Sequence, residues 1–81
     1  MKSERSAVQF RRSRHVPVAS STISSACYNR AEQLLELRFR SGAVYRYLEV
    51  PEFIHAALMA AESKGRYFNE AIRGRFEHRR S

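Results

Sequence analysis

The stretch "LLELRFRSGAVYRYLEVP", residues 34–51, decides the fold. In residues 34–40 apolar and charged side chains alternate after the first leucine, which is the pattern of a strand with one buried face. A Ser-Gly pair at 41–42 predicts a turn, and residues 43–48 predict the returning strand. The stretch therefore predicts an antiparallel β-hairpin, followed by a proline that is typical of a helix start.

The length of the hairpin loop determines which side chains share a face, because a one-residue slip moves every side chain to the other face. A two-residue loop at 41–42 and a three-residue loop at 40–42 both fit the sequence. We favour the three-residue loop, since it places Gly42 where a bulge needs a positive φ and sets Glu36 opposite Arg46. Its apolar face comprises Leu35, Leu37, Tyr45 and Tyr47.

The segment Tyr45-Arg46-Tyr47 has two interpretations. Aromatic rings that flank a cation are typical of a base-stacking nucleic-acid site, and alternation of this kind is also typical of a strand packed on a core. In the favoured register both tyrosines are mainly core residues, and a stacking platform remains the alternative. The opposite face of the sheet then exposes three cations, Arg38, Arg40 and Arg46.

A further strand is predicted ahead of the hairpin. Residues 20–29 are rich in Ser, Thr and alternating small residues, and residues 29–33 form a polar connection to the hairpin. Pro17 disfavours helix immediately before this strand. We expect Cys27 to be a small core residue, and the hydroxyls of residues 20–22 to make local hydrogen bonds rather than an anion site.

Two helices are predicted after the hairpin. Pro51 begins the first, where its missing N–H costs nothing. One apolar stripe of this helix is expected to face the core, and it comprises Phe53, Ala57 and Ala61 with Ile54 and Leu58 beside them. Gly65 is expected to end that helix in the left-handed conformation. Asn69 then predicts the N-cap of a short helix over residues 70–76.

These elements predict an α+β fold, in which a small three-stranded antiparallel β-sheet is followed by one long and one short α-helix packed on one face. Residues 1–15 are expected to be a disordered basic arm, residues 16–76 the folded domain, and residues 77–81 a fraying basic tail. A sheet this small leaves one face and its edges open to a partner.

The charge of the chain is concentrated at its two ends. Fifteen Lys and Arg residues stand against eight Glu, and the sequence contains no Asp, so the net charge is +7. Residues 1–15 carry a net +4, residues 73–81 a net +3, and residues 16–72 are neutral. Basic ends attract nucleic acid without sequence preference, and they also keep a small domain soluble.

Residues that could carry chemistry are few. Cys27 is the only cysteine, so no internal disulfide forms, and it fits a reducing cytoplasm. No aspartate is present to orient His15, His55 or His78, and the spacing of these residues is not that of metal ligands. No apolar run reaches the roughly 18–20 residues of a membrane span. We therefore expect a cytoplasmic, non-enzymatic protein with no catalytic residue, cofactor, metal site or membrane segment.

The ordered set of motifs over residues 16–76 resembles the KTSC domain. This is a small domain that occurs at the C-terminus of some lysyl-tRNA synthetases and as a stand-alone bacterial protein. The resemblance implies a β-hairpin-rich sheet followed by helix, and the synthetase association suggests binding of tRNA-like RNA. The basic arm is extra to the family's pattern. The residues that carry the resemblance are Ser20-Ser21, Ile23, Tyr28, Leu35, Leu37, Phe39, Gly42, Tyr45, Tyr47, Val50-Pro51, Ser63, Gly65, Tyr67-Phe68-Asn69 and Ile72-Arg73.

Two functions follow from these observations as hypotheses. The first is RNA or nucleic-acid binding through Arg-rich surfaces, with electrostatic attraction supplying most of the affinity. The second is a protein-interaction or dimerisation module in which the basic ends act as solubility tails. The nucleic-acid-binding residues predicted for the first are Arg38, Arg40, Arg46, Lys64, Arg66, Arg73 and Arg75.

Overall fold

Five antiparallel strands form one sheet, and their order in the sheet follows their order in the chain. The structure is a computed structural model that describes residues 15–80. Its strands are β1 (Val16–Pro17), β2 (Ile23–Asn29), β3 (Leu34–Phe39), β4 (Val44–Tyr47) and β5 (His78–Arg80). Between β4 and β5 lie helix α1 (Glu52–Ala60) and helix α2 (Lys64–Tyr67), which runs directly into a π-helical segment (Phe68–Ile72). The predicted α+β class is confirmed.

The sheet has two more strands than the three predicted. Both are exposed edge strands: β1 pairs with β2 over two residues, and β5 pairs with β4 over three. The expectation that the basic tail frays is wrong for residues 78–80, and the Leu48 amide also donates to the Glu77 carbonyl at 2.8 Å. Strands so short and exposed need no apolar alternation, so the sequence carries no pattern for them.

The predicted hairpin register is confirmed. β3 pairs with β4 so that Glu36 lies opposite Arg46 and Leu37 opposite Tyr45. The Gly42 amide donates to the Phe39 carbonyl at 2.9 Å, and the φ of Gly42 is +99°. The three-residue loop is therefore correct, because it uses a glycine where the backbone requires a positive φ.

The core lies between one face of the sheet and the helical segments. Tyr47 is 4% exposed, which confirms that it is a core residue, and Tyr45 is half-buried beside it. Because helical and strand residues belong to one cluster, the helices cover a single face of the sheet. The core comprises Val18, Ile23, Ala26, Leu35, Leu37, Tyr47, Val50, Leu58, Phe68 and Ile72.

The first helix differs from its prediction at both ends. Pro51 precedes the first helical residue, with an extended backbone, and α1 ends at Ala60 without a glycine. Phe53 is 69% exposed, so its predicted place in the apolar stripe is wrong. The prediction is confirmed for Leu58, which is buried in the core, and for Ile54, which packs against it. The Lys64 ammonium donates to the Ala61 carbonyl at 2.6 Å and satisfies the end of the helix.

The second helix begins earlier than predicted. Ser63 is its N-cap, since the Ser63 hydroxyl accepts from the Arg66 amide at 3.3 Å, and Asn69 lies inside the π-helical segment. Gly65 lies inside α2, so the prediction that it ends a helix is also wrong. A Cβ at position 65 would stand 2.8 Å from the Thr22 hydroxyl oxygen. Close approach of α2 to the entry of β2, rather than a left-handed backbone, requires the glycine.

The predicted arm lies outside the described residues except for His15. That residue directly precedes β1, and its side chain is 8% exposed because it packs against the sheet.

Candidate functional site

The seven predicted cations do not form one surface. Two of them line a cleft on the helical side of the sheet, two lie on the opposite sheet face, and three lie on or after α2. In that order the groups are Arg40 and Arg73; Arg38 and Arg46; and Lys64, Arg66 and Arg75. The expected sheet face of three arginines is therefore divided, since Arg40 lies in the hairpin loop and points to the other side of the sheet.

On the face opposite the helices, a buried carboxylate neutralises one of the predicted cations. Glu36 is 1% exposed, and the Arg46 guanidinium donates to it at 2.9 Å. The His15 ring lies 2.6 Å from the other Glu36 oxygen and 2.9 Å from the Ser25 hydroxyl. Burial alone would raise the pKa of Glu36, but the hydrogen bonds from His15 and Arg46 outweigh it and hold the pKa below its ordinary 4.5.

The remaining cation of that face stands apart from this network. Arg38 is exposed and makes no ion pair with any residue of the described chain. Within residues 15–80 it is therefore an unpaired charge on the sheet.

The cations on and after α2 have local partners. Lys64 binds the end of α1, the Arg66 guanidinium lies 3.4 Å from Glu70, and Arg75 donates to the Glu70 carbonyl at 3.2 Å. Lys64 and Arg66 do line a groove of about 580 Å³ between α2 and the entry of β2, but Glu62 and Glu70 line it as well. Its mixed charge makes it a poor anion site.

A cleft of about 630 Å³ opens on the helical side, between the hairpin loop, β5 and the end of the π-helical segment. Arg40 and Arg73 line it, as do three hydroxyl residues, Ser21, Thr22 and Ser41. No carboxylate is among its lining residues in the described chain. Its aromatic lining is Phe39, Tyr45, Tyr47, Phe68 and His78.

The five aromatic rings contact one another in a closed circuit. Phe39 contacts Tyr45 and Phe68 with ring centroids 5.8 and 5.3 Å apart, and Phe68 contacts Tyr47 at 5.7 Å. His78 closes the circuit, because its ring lies 5.3 Å from those of both tyrosines. Four of the five contacts are edge-to-face, and the contact between Tyr47 and His78 is tilted at 37°. Edge-to-face contacts are favourable and help to fix the orientation of the rings.

The two arginines of the cleft differ in the number of hydrogen bonds that fix their side chains. Arg40 donates to the Ser20 carbonyl at 2.8 Å and to the Val18 carbonyl at 3.3 Å, so the entry of β2 fixes its position. Arg73 is exposed, and its one side-chain hydrogen bond within the described chain is to Asn69 at 3.4 Å. Neither arginine forms an ion pair with another residue of the described chain.

The sequence named both cleft arginines and both tyrosines, but it did not predict their convergence with Phe68 and His78. Sequence pattern gives no signal for that convergence, because it depends on where the π-helical segment and β5 pack. Within residues 15–80, no group of three His, Cys, Asp or Glu residues could hold a metal ion. No helix of the described part has the length and apolar character to cross a membrane.

The chain is similar to one family of small domains. A model of the KTSC domain family matches residues 19–76. The crystal structure of a KTSC domain protein from Yersinia pestis superposes with a TM-score of 0.82 at 43% identity, and the match covers 84% of this chain and 96% of that one.

Relatives in sequence are of two kinds. A protein from Tsukamurella paurometabola is 52% identical over 60 residues, which are 74% of this chain and 90% of the relative. A lysine–tRNA ligase from Nostoc punctiforme is 40% identical over 57 residues, which are 70% of this chain and only 10% of the ligase. The similarity to the ligase is therefore confined to one small part of it.

Proposed function

The chain belongs to the KTSC domain family, and we propose that it is a small, non-enzymatic RNA-binding domain of the cytoplasm. The cleft on the helical side is its main contact surface, and the Arg-rich ends add salt-dependent attraction. Proteins that bind single-stranded nucleic acid combine a positively charged groove with aromatic side chains. The proposal rests on the convergence of Arg40 and Arg73 with five aromatic rings in a cleft whose lining within residues 15–80 contains no carboxylate.

The relatives support a tRNA-like target. Lysine–tRNA ligases, by their name, act on tRNA, and three of them share 40–41% identity with this domain. A domain attached to such an enzyme is well placed to contact the same RNA.

The test is fluorescence anisotropy of the full chain with a labelled tRNA pool and a labelled unstructured RNA, at salt concentrations from about 50 to 200 mM. We expect affinity to fall with salt, with a log–log slope of roughly 0.7 for each phosphate contacted on a single strand. R73Q should weaken binding more than R75Q, since both remove one exposed charge but only Arg73 lines the cleft.

Equal effects of R73Q and R75Q would assign the binding to nonspecific attraction by the ends. Absence of binding to either RNA would refute the proposal and favour the alternative, a protein-interaction or dimerisation module. Sedimentation equilibrium of the same preparation then shows whether the chain pairs with a second copy.

A further inference from the structure

We infer that the cleft is a binding site for one unpaired nucleotide, whose base lies against the aromatic circuit and whose phosphate lies at Arg40 and Arg73. The inference deepens the proposed RNA-binding function and rests on it. The unit that binds is a nucleoside monophosphate, which can belong to an RNA chain or be a free nucleotide.

The dimensions of the cleft suit such a ligand. Its volume of about 630 Å³ lies within the roughly 300–1,000 Å³ of sites that bind small molecules. The circuit of rings also gives the cleft a preformed wall, because each ring contacts two others. Little ordering is needed before a flat ligand binds, which favours affinity.

The charge of the cleft indicates whether a cationic or an anionic ligand binds to its aromatic rings. An aromatic cage by itself suits a quaternary ammonium group as well as a flat ring. Two guanidinium groups and the absence of a carboxylate from the cleft, as the described residues form it, oppose a cation and favour an anion. A nucleotide offers both features, since it joins a flat aromatic base to an anionic phosphate.

Hydrogen-bond donors are present for the anionic group. A guanidinium carries five N–H groups, and Arg40 uses two of them on the backbone carbonyls of Ser20 and Val18. The other three have no partner among residues 15–80 and remain for phosphate oxygens. Arg73 adds a second, exposed guanidinium from the end of the π-helical segment, and the three hydroxyl residues of the cleft can bind a ribose.

One wall of the site lies outside the part of the chain that defines the family. His78 belongs to β5, whereas the family match ends at residue 76. Its ring closes the aromatic circuit, and the Arg80 guanidinium of the same strand lies 5.6 Å from the Tyr45 ring centre. The residues after 76 therefore enlarge the aromatic surface offered to the base.

The experiment is an amide-resolved NMR titration of the full chain with adenosine 5′-monophosphate, adenosine and inorganic phosphate in turn. We expect the nucleotide to shift residues of the hairpin loop, of positions 73–74 and of β5. Adenosine and phosphate should each bind roughly tenfold more weakly or worse, because each offers only one of the two recognised groups.

Two variants test the two halves of the site against matched controls. Y45L keeps apolar volume but removes the ring, and R73Q removes the charge. Each should weaken nucleotide binding about fivefold or more, whereas F53L and R30Q, at exposed positions outside the cleft, should leave it within about twofold. Should Y45L not fold, H78L removes the ring of an exposed residue of the circuit and should also weaken nucleotide binding, and unchanged binding by H78L would count against the aromatic site.

The possible results distinguish failure of the nucleotide site from failure of the proposed RNA-binding function. Salt-dependent RNA binding without nucleotide shifts in the cleft, and unchanged by Y45L, would overturn the inference and leave RNA binding intact. Phosphate that binds as tightly as the nucleotide would overturn it too, by reducing the cleft to an anion site. Nucleotide binding in the cleft with no binding of tRNA or of an oligonucleotide would support the inference, identify the free nucleotide as the source and refute the RNA function.

Discussion

Glu36 shows what a single residue contributes on the sheet face away from the helices. A carboxylate withdrawn from water is costly unless it is paired and hydrogen-bonded, and both Glu36 oxygens have a partner. The His15 ring reaches it from the residue before β1, and Arg46 reaches it from β4. The contacts therefore connect an edge strand to the centre of the sheet. The sequence predicted the Arg46 pair from the register, but His15 stood in the segment predicted to be disordered.

Replacing Glu36 by Gln should destabilise the domain by about 1–3 kcal/mol, because charge-assisted hydrogen bonds to two partners are weakened in a buried setting. The measurement is the free energy of unfolding from urea denaturation. E62Q is the matched control, since Glu62 is exposed and makes no ion pair within the described chain. Equal losses in the two variants would contradict a special role for Glu36.

Acid should remove the contribution of Glu36. Because the folded pKa of Glu36 lies below its ordinary 4.5, the unfolded chain binds a proton at a higher pH than the folded one. The stabilisation is therefore complete above pH 4.5 and is lost as the pH falls through the lower folded value. Urea denaturation over this range should show the difference between the parent and E36Q shrinking with acidification. A difference that is constant with pH would contradict the prediction.

The pKa of His55 gives a second prediction for a single residue. Its ring stacks on Tyr28 with centroids 4.8 Å apart, and burial lowers its pKa from 6.5 although Glu52 acts in the opposite direction. A histidine with a depressed pKa stabilises the fold fully above pH 6.5, and that stability falls as the pH drops through the folded value. NMR titration of the His55 ring protons should give a midpoint below 6.5 in the parent and a higher one in Y28A. An unchanged midpoint in Y28A would exclude Tyr28 as the source of the burial.

At the scale of elements, the sequence predicted correctly those features that depend on the local conformation of the backbone. The hairpin was predictable because alternation fixes its faces and Gly42 fixes its loop. Helix α2 was not, because the glycine that suggested a terminator is required by Thr22, which lies far away in sequence. For the apolar stripe of α1, the prediction was correct for Leu58 and wrong for Phe53, because helical spacing does not show which edge of a stripe meets the core.

Replacing Gly65 by Ala tests this close approach. Alanine is favoured over glycine in a helix by about 1 kcal/mol, but its Cβ would lie 2.8 Å from the Thr22 hydroxyl oxygen. We expect the clash to prevail and to cost about 1–3 kcal/mol, measured as the change in the free energy of unfolding. G65A should cost less in a T22A background, which removes the hydroxyl. Additive effects of the two substitutions would show that Thr22 is not the obstacle.

At the scale of the whole molecule, the two faces of the sheet have different characters. The helical side carries the core and the aromatic cleft, and the other side carries the buried Glu36 network. The sequence predicted one covered face and an excess of positive charge. It did not predict which cations converge, because Arg40 and Arg73 meet only after the sheet and helices have packed. Identifying the cleft therefore required the tertiary structure.

Removing residues 77–81 tests how far β5 belongs to the folded unit. We expect the domain to remain folded but to lose about 1–3 kcal/mol, because β5 contributes a few backbone hydrogen bonds and the contacts of His78 but no buried residue. Thermal and urea denaturation measure the loss. The matched control is the chain with Arg79 and Arg80 replaced by Gln, which keeps the strand and lowers the charge. An equal loss in the control would attribute the effect to charge rather than to strand pairing.

The strand order has a mechanical consequence. Because β1 and β5 lie at opposite edges of the sheet, tension applied between residues 15 and 80 acts across the strands rather than along them. Backbone hydrogen bonds pulled along their own axes yield one after another, so the sheet should open by peeling from its edges. The two-residue pairing of β1 should give way early, and the β3–β4 hairpin late. If the domain is held at both ends, its resistance to stretching should therefore rise in steps, as strand pairing is lost first at the edges and then at the centre of the sheet.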